Sequence, residues 1–256
     1  MHIVVTNDDG VVAPGLLALA IEMREIGTVS ILAPDRNWSA SGHVRTLDRP
    51  LRVKEVILSD GTKAWACDGA PSDCVALALC GFFTEPVDLV VSGINPYANI
   101  GDDVTYSGTV TAAMEAVIGG LPAIAVSVDS PENHLGLVDY KAAAMYASKI
   151  TTAMLKQGLP KGILLNVNVP YLPMEKIQGI RVTRQGNREY HDRLDKRLDP
   201  RGKPYYWAIG DVPTAQAEPG NDAESLQNGY VSVTPIQLDL TAYRFLPEMN
   251  SWKWED

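Results

Sequence analysis

Short, continuously apolar runs recur along the first 170 residues of the chain. Runs that are rich in Ile and Val are typical of strands buried on both faces, as in a parallel sheet. The predicted strands are residues 2–6, 29–33, 88–92, 122–128 and 163–169.

Between these runs, apolar positions recur with the helical period. Leu16, Leu19, Ala20 and Met23 are spaced i, i+3, i+4 and i+7, which predicts an amphipathic helix. The predicted helices are residues 14–27, 70–83, 110–118 and about 139–157. The segment 70–83 is apolar on all sides, so we expect it to be buried. Strands that alternate with helices over short connections predict an α/β fold, a parallel sheet with helices on both faces.

The character of the sequence changes after Pro170. Residues 171–229 are rich in Pro, Gly, Asp and Arg and show little helical period, although 205–209 and 230–235 have the composition of strands. We divide the chain into a core, residues 1–170, and a C-terminal extension, residues 171–256, that packs on it. A strand without its own core needs a partner, so a hairpin arm used in self-association is one interpretation. A surface excursion is the other.

The composition of the chain is that of a soluble globular protein and not of a membrane or secreted one. Of the 256 residues, 46% are hydrophobic and 21% are charged, as in soluble globular proteins. No apolar run reaches the ~18 residues that cross a bilayer, and the start MHIVVTNDDG lacks the features of a signal peptide. We therefore expect a cytoplasmic protein with no membrane partner. Cys67, Cys74 and Cys80 are expected to be buried thiols, because their spacing suggests neither disulfides nor a zinc site.

The net charge of −9 bears on the partners of the protein. Proteins that bind nucleic acid normally carry a basic surface, so we expect no nucleic-acid partner. A small anionic substrate is still compatible with this charge. An acidic protein that handles phosphate needs local positive potential, which a bound cation or a helix N-terminus supplies.

Polar residues follow several of the predicted strands. Ligands bind at the carboxyl ends of the strands in open parallel sheets, so these residues are candidates for a site. The first strand is followed by Asn7, Asp8 and Asp9. The second leads into a loop that contains Ser39, and Asn95 follows the third. Three separate segments therefore bring oxygen-bearing side chains to one edge of the sheet.

Asp8 and Asp9 are adjacent carboxylates directly after a buried strand. They repel each other, and each raises the pKa of the other unless a cation lies between them. Carboxylates combined with neutral oxygen donors suit Mg²⁺, Mn²⁺ or Ca²⁺. The alternative is structural: Asp9 and Gly10 form a turn while Asp8 caps the next helix. The oxygen donors at the other strand ends favour the metal.

The step Ser107, Gly108, Thr109 directly precedes an apolar helix. Free N–H groups and the helix dipole favour phosphate at such a position. The commoner use of this tripeptide is an ordinary N-cap.

Loop residues supply further candidates for substrate contact. We place Ser41, Gly42, His43 and Asn99 in this group, with His43 as a candidate general acid or phosphate donor. Ser41 and Asn99 have a structural alternative, because polar loop side chains often bond to the local backbone. The alternative for His43 is an ordinary surface histidine. The chain has no G-x-S-x-G or Walker A sequence, which argues against acyl hydrolases and P-loop NTPases.

Six sequence blocks occur in the order typical of one known family. They are TNDDG at 6–10, APDRNWSASGH at 33–43, GAPSDCVALAL at 69–79, DLVVSGIN at 88–95, YSGTVTAAMEA at 106–116 and YVSVTPIQLDLT at 230–241. In these blocks the chain resembles the SurE family of stationary-phase survival proteins. The members of this family are metal-dependent 5′-nucleotidases. The resemblance implies a Rossmann-like core and a C-terminal hairpin exchanged between the subunits of a homodimer or homotetramer.

The resemblance also implies particular site residues. One divalent ion per subunit, Mg²⁺ or Mn²⁺, would be held by Asp8, Asp9, Ser39 and Asn95. The phosphate region would consist of Asn7, Asn99, Ser107, Gly108 and Thr109. The chain departs from the family pattern GIN-x-G-x-N at Tyr97, where glycine is common.

We therefore predict a metal-dependent 5′-nucleotidase whose partner is a small-molecule nucleotide. It would hydrolyse nucleoside 5′-monophosphates to nucleoside and inorganic phosphate by a metal-activated water, with Asp8 and Asp9 as catalytic residues. One alternative is a regulatory protein that binds nucleotide or metal without turnover. Another is an aspartyl-phosphate phosphatase, which is disfavoured because that chemistry usually spaces its acids as D-x-D.

Overall fold

The computed structural model describes residues 1–131 and 134–254, and these form eleven strands. They are β1 (His2–Thr6), β2 (Thr28–Pro34), β3 (Val53–Ile57), β4 (Lys63–Cys67), β5 (Leu89–Asn95), β6 (Ala123–Asp129), β7 (Ile163–Pro170), β8 (Ile180–Val182), β9 (Arg188–Leu198), β10 (Pro204–Ala215) and β11 (Val231–Gln237).

Six α-helices lie between and after these strands in the part of the chain that is described. They are α1 (Pro14–Met23), α2 (Pro71–Leu77), α3 (Gly108–Ile118), α4 (Lys141–Gln157), α5 (Asp222–Gln227) and α6 (Leu246–Met249). None of the helices within 1–131 and 134–254 combines the length and apolar character that crossing a membrane requires.

Nine strands form one sheet in the order β3-β4-β2-β1-β5-β6-β7-β11-β8. The pairings from β4 through β2, β1, β5 and β6 to β7 are all parallel. β3 pairs antiparallel with β4, and β11 pairs antiparallel with β7. β1, β2, β5, β6 and β7 correspond to the continuously apolar runs of the sequence, because a central parallel strand is covered by helices on both faces.

Helices cover both faces of the sheet, and alternate side chains of β1 enter two different cores. Ile3 and Val5 pack with residues of α1 and α4, whereas Val4 packs with residues of α2 and α3. Each such fully buried Ile or Val side chain contributes about 1.5–3 kcal/mol relative to an exposed one. The prediction of an α/β fold with a mostly parallel sheet is thus confirmed.

Two predicted helices end earlier than expected. The first ends at Met23, and residues up to Gly27 continue as hydrogen-bonded turns. The segment predicted as a buried helix over 70–83 is regular only as α2, followed by a wider turn at Ala78–Phe82. Gly81 has a φ of 93°, in the left-handed region where a right-handed helix cannot continue.

The prediction that all three cysteines are buried was wrong for one of them. Cys67 and Cys74 are buried free thiols, but Cys80 is exposed. Cys80 lies in the irregular turn after α2, at the edge of the helical layer. An all-apolar segment therefore does not guarantee burial once its helical geometry breaks.

The C-terminal extension contributes to two sheets. β11 and β8 extend the nine-stranded sheet beyond β7, whereas β9 and β10 form a separate antiparallel hairpin. The sequence indicated only part of β10, and β9 was not predicted. β3 and β4 at one end of the nine-stranded sheet and β8 at the other were also missed.

Gly15, in the first turn of α1, allows this helix to contact the end of β5. A Cβ at this position would lie 2.3 Å from the Ile94 carbonyl oxygen and 3.0 Å from Cε1 of Tyr140. Gly→Ala in an unobstructed helix stabilises the protein, since alanine has the higher helix propensity. We predict the opposite sign here: Gly15→Ala should lower the free energy of unfolding by about 1–3 kcal/mol through overpacking. Urea denaturation tests this, and a variant as stable as the wild type would contradict the close packing.

Candidate functional site

The loop after β1 brings two acidic side chains to the carboxyl edge of the sheet. Asn7 is fully buried and shapes this loop, because its Nδ2 donates to the Gly10 carbonyl at 3.0 Å and its Oδ1 accepts from the Gly10 N–H at 3.2 Å. Gly10 has a φ of 104°. A Cβ there would lie 3.3 Å from the Arg36 backbone, so the β1 and β2 ends pass close together.

Asp8 is buried against the N-terminus of α3. Its Oδ1 accepts a hydrogen bond of 2.5 Å from the Thr109 hydroxyl. A Cβ on Gly108 would lie 2.6 Å from the Asp8 Cβ, so only glycine permits this approach. Burial raises the pKa of Asp8, while the Thr109 hydroxyl and nearby main-chain groups of α3 partly offset that rise. The proposal that Asp8 caps the next helix in the chain is not supported, since α1 has Ala13 as its N-cap.

Asp9 lies partly buried beside Asp8. Burial, and then the negative charge of Asp8, raise the pKa of Asp9 to about 7. Among the described residues, the groups that shift these two pKa values include no basic side chain. Two neighbouring carboxylates are therefore held in a partly desolvated position without a protein cation. This is an electrostatic environment in which a metal ion is stabilising.

The loop between β2 and β3 passes over the N-terminus of α3. Asp8 is tied to it directly, because the Trp38 N–H donates to the Asp8 carbonyl at 2.7 Å. Ser39 is exposed, and its N–H donates to Asn37 Oδ1 at 2.7 Å. The Oγ of Ser41 is buried and has no hydrogen-bond partner within residues 1–131 and 134–254.

Two residues of this loop are fixed to α3. The Gly42 N–H donates to the Tyr106 carbonyl at 2.9 Å, and the Gly42 carbonyl accepts from the Thr111 hydroxyl at 3.0 Å. His43 Nε2 lies 2.9 Å from Oε2 of Glu115, and Arg45 donates to the other oxygen of the same carboxylate. The structure thus gives His43 an anchoring contact on the helix. Its proposed contact with substrate remains a prediction.

Asn95 ends β5 and Asn99 lies in the following loop. Asn95 Nδ2 donates to the Tyr97 carbonyl at 2.6 Å, which leaves its Oδ1 as an acceptor of the kind that binds cations. Asn99 is buried, and its Nδ2 donates to the Ser127 hydroxyl at 2.8 Å. That contact fixes the Asn99 side chain within the protein.

Ser107 is the N-cap of α3, since its Oγ accepts a 3.1 Å bond from the Val110 N–H. The structural alternative raised from the sequence therefore holds for this hydroxyl. It does not exclude an anion nearby, because a capped helix still presents its dipole and its remaining first-turn N–H groups.

The implied metal ligands have chemistry suited to a hard cation. Within residues 1–131 and 134–254, no group of three or more His, Cys, Asp or Glu side chains could hold a metal. The implied set contains only two such residues, Asp8 and Asp9, and relies on the Ser39 hydroxyl and the Asn95 amide for the rest. Oxygen donors of this mixture fit Mg²⁺ or Mn²⁺ and not Zn²⁺.

The sequence analysis did not identify the residues whose side chains bond to the β2–β3 loop and to the loop after β5. Glu115 is a charged residue in the otherwise apolar run of α3, and that exception was the available signal. Asn166 and Asn168 are buried amides in β7, where the alternation N-x-N interrupts an apolar strand. Their partners lie about 70 residues away in the chain and cannot be identified from local patterns.

Comparison with known proteins identifies relatives over the whole chain. A family model described as "Survival protein SurE" matches residues 3–192. The chain is 50% identical to the 5′-nucleotidase SurE of Chloroflexus aggregans over 255 residues, covering 100% of both. It is 48% identical to that of Herpetosiphon aurantiacus, again over 100% of both. The crystal structure of the SurE protein from Aquifex aeolicus matches with a TM-score of 0.81 and 41% identity, covering 98% of each chain.

The Glu115 contacts give a test of how the β2–β3 loop is held. We predict that Glu115→Gln lowers the free energy of unfolding by about 1–2 kcal/mol, because Arg45 loses a charged partner beside a buried helix. The matched control is Glu55→Gln, which removes an exposed pair with Lys63 and should cost less than about 0.5 kcal/mol. Urea denaturation of both variants measures the difference, and equal effects would contradict the anchoring role.

Proposed function

The chain belongs to the SurE family of phosphoric monoester hydrolases, and we propose that it hydrolyses nucleoside 5′-monophosphates with one divalent metal ion per subunit. The observation that carries this proposal is the buried contact between Asp8, which lies next to Asp9, and the N-terminus of α3. It brings a candidate cation site and a candidate anion site into direct contact. Hydrolysis of a phosphate ester requires a cation and an anion-binding site that contact the same phosphate group.

Asp8, Asp9, Ser39 and Asn95 are the residues that we propose hold the metal. A bound Mg²⁺ or Mn²⁺ would polarise a phosphoryl oxygen and increase the acidity of a water molecule. The carboxylates supply the negative charge that favours the ion. Asn95 is suited to contribute its Oδ1, because its Nδ2 is already bonded to Tyr97.

The first turn of α3 is the proposed phosphate site. Gly108 and Thr109, whose main-chain N–H groups also offset the charge of Asp8, lie at the positive end of the helix dipole, which stabilises charge on phosphoryl oxygens. The Thr109 hydroxyl already bonds Asp8, so it links the carboxylate to the anion site. The unpartnered Ser41 hydroxyl is a further donor for a phosphoryl oxygen, with the adjacent Gly42 fixed to α3.

Removal of one carboxylate tests this proposal. Asp8→Asn should lower kcat for AMP at least ~100-fold, because the neutral amide weakens both cation binding and the electrostatic stabilisation of the reaction. Asp35→Asn, in an exposed carboxylate at the end of β2, is the control and should keep wild-type rates. Phosphate release from AMP, measured with and without EDTA, provides the readout.

Three results would contradict the proposed activity. They are a wild-type rate in Asp8→Asn, phosphate release that EDTA does not affect, and nucleotide binding without any release of phosphate. The last of these would favour a regulatory protein that binds nucleotide without turnover.

We further propose that the β9–β10 hairpin mediates self-association into a homodimer or homotetramer. A two-stranded hairpin is marginally stable alone, and this one pairs only with itself among the described strands. It exposes large apolar side chains, including 71% of Leu194 and 56% of Trp207. Exposed apolar groups of this kind favour burial against another subunit.

If the β9–β10 hairpin mediates self-association, disrupting it should lower the molecular mass of the assembly in solution. The double variant Leu194→Asp with Trp207→Asp places charges on both faces of the hairpin and should yield smaller species in sedimentation velocity. The control, Arg201→Asp with Lys203→Asp, adds two aspartates at the turn and should keep the wild-type mass. Equal masses for all three proteins would refute the role of the hairpin.

A further inference from the structure

The loop between β5 and α3 connects the two halves of the proposed site. It leaves β5 at Asn95 and reaches Ser107 at the start of α3. We name residues 96–106 the Asn99 loop. Any shift of this loop changes the position of Asn95 relative to the first turn of α3.

The Asn99 peptide is bound by side chains from β7. Its N–H donates to Asn168 Oδ1 at 2.8 Å, and its carbonyl accepts from Asn168 Nδ2 at 3.1 Å. The same carbonyl accepts a second bond from Asn166 Nδ2 at 2.8 Å. The Asn168 amide therefore pairs with both main-chain groups of one residue, as a neighbouring strand would.

Gly101 is bound in the same way by two other side chains. Its N–H donates to Asp222 Oδ2 at 2.9 Å, and its carbonyl accepts from Gln185 Nε2 at 2.9 Å. Residues 99 and 101 of the loop thus have both main-chain groups bound to side chains. This is a substitute for the strand partner that a loop lacks.

Asn166 and Asn168 occupy positions on β7 where apolar side chains would normally pack in the core. Asn166 and Asn168 are fully buried and point to the same face of β7 as Leu164, which packs in the core beneath α3. Burying amides is unfavourable unless they are hydrogen-bonded. Asn166 Oδ1 has no partner within the described residues, so the pair is not an optimal solution for stability alone.

We propose that Asn168, assisted by Asn166, is a positioning residue for the phosphatase reaction. It holds the loop at Asn99, which keeps Asn95 and the Ser107–Thr109 turn in position beside Asp8. Asn168 itself acts through Asn99 and touches neither the proposed metal nor the phosphate. The inference rests on the proposed function, because it assigns Asn168 a role in that reaction.

The test compares Asn168→Ala with Thr183→Val in the whole 256-residue chain. Thr183 directly follows β8 and is buried, with its hydroxyl 2.7 Å from both Ser232 Oγ and Thr234 Oγ1. Within the described residues it makes no hydrogen bond to the Asn99 loop. Both variants lose buried hydrogen bonds, so both should lower the melting temperature. Only Asn168→Ala should lower kcat for AMP, by at least ~10-fold with a smaller change in KM, because misplaced groups affect the transition state most.

Hydrogen–deuterium exchange of residues 97–107 provides a readout that is independent of activity. Asn168→Ala should exchange faster in this segment, whereas Thr183→Val should match the wild type. Wild-type kinetics in Asn168→Ala, or equal loss of kcat in both variants, would overturn the positioning role. If the wild type releases no phosphate from AMP, the proposed function fails, while exchange still decides whether Asn168 immobilises the loop.

Discussion

The structure depends on the contact between the β1 carboxyl end and the N-terminus of α3. Asp8 meets the first turn of α3 through the Thr109 hydroxyl, and the absence of a side chain on Gly108 allows the two backbones to approach. The helix N-terminus partly compensates a buried negative charge. Asp9 adds a second carboxylate, and burial together with the charge of Asp8 raises the pKa of Asp9 to about 7. This imbalance of charge is the physical basis of the cation site proposed at the edge of the sheet.

The surrounding loops are held by polar side chains instead of strand pairing. Glu115 fixes the β2–β3 loop to α3, and Asn168 fixes the Asn99 loop to β7. Both anchors extend from regular elements packed in the core, so the loops gain the rigidity of those elements. Loops that carry binding groups can then be exposed at the edge while keeping a defined backbone path.

Local patterns predicted the elements that form the core. β1 has the bounds indicated by the run HIVVT, and α3 ends at the predicted Ile118, because buried strands and amphipathic helices leave a periodic signal. β9 gave no such signal, since REYHDRLDKRL is largely charged and exposed. Its pairing with β10 defines it, and pairing between segments is not visible in either segment alone. The roles of Glu115 and Asn168 were missed for the same reason: they arise from contacts between distant parts of the chain.

Anomalous diffraction from crystals soaked with Mn²⁺ is the most direct test of the central claim, that the Asp8–Asp9 pair holds a divalent cation at the edge of the sheet. The account predicts one strong anomalous peak per subunit within coordination distance, about 2.0–2.3 Å, of a carboxylate oxygen of this pair. A peak elsewhere, or no peak with both carboxylates ordered at saturating Mn²⁺, would contradict it.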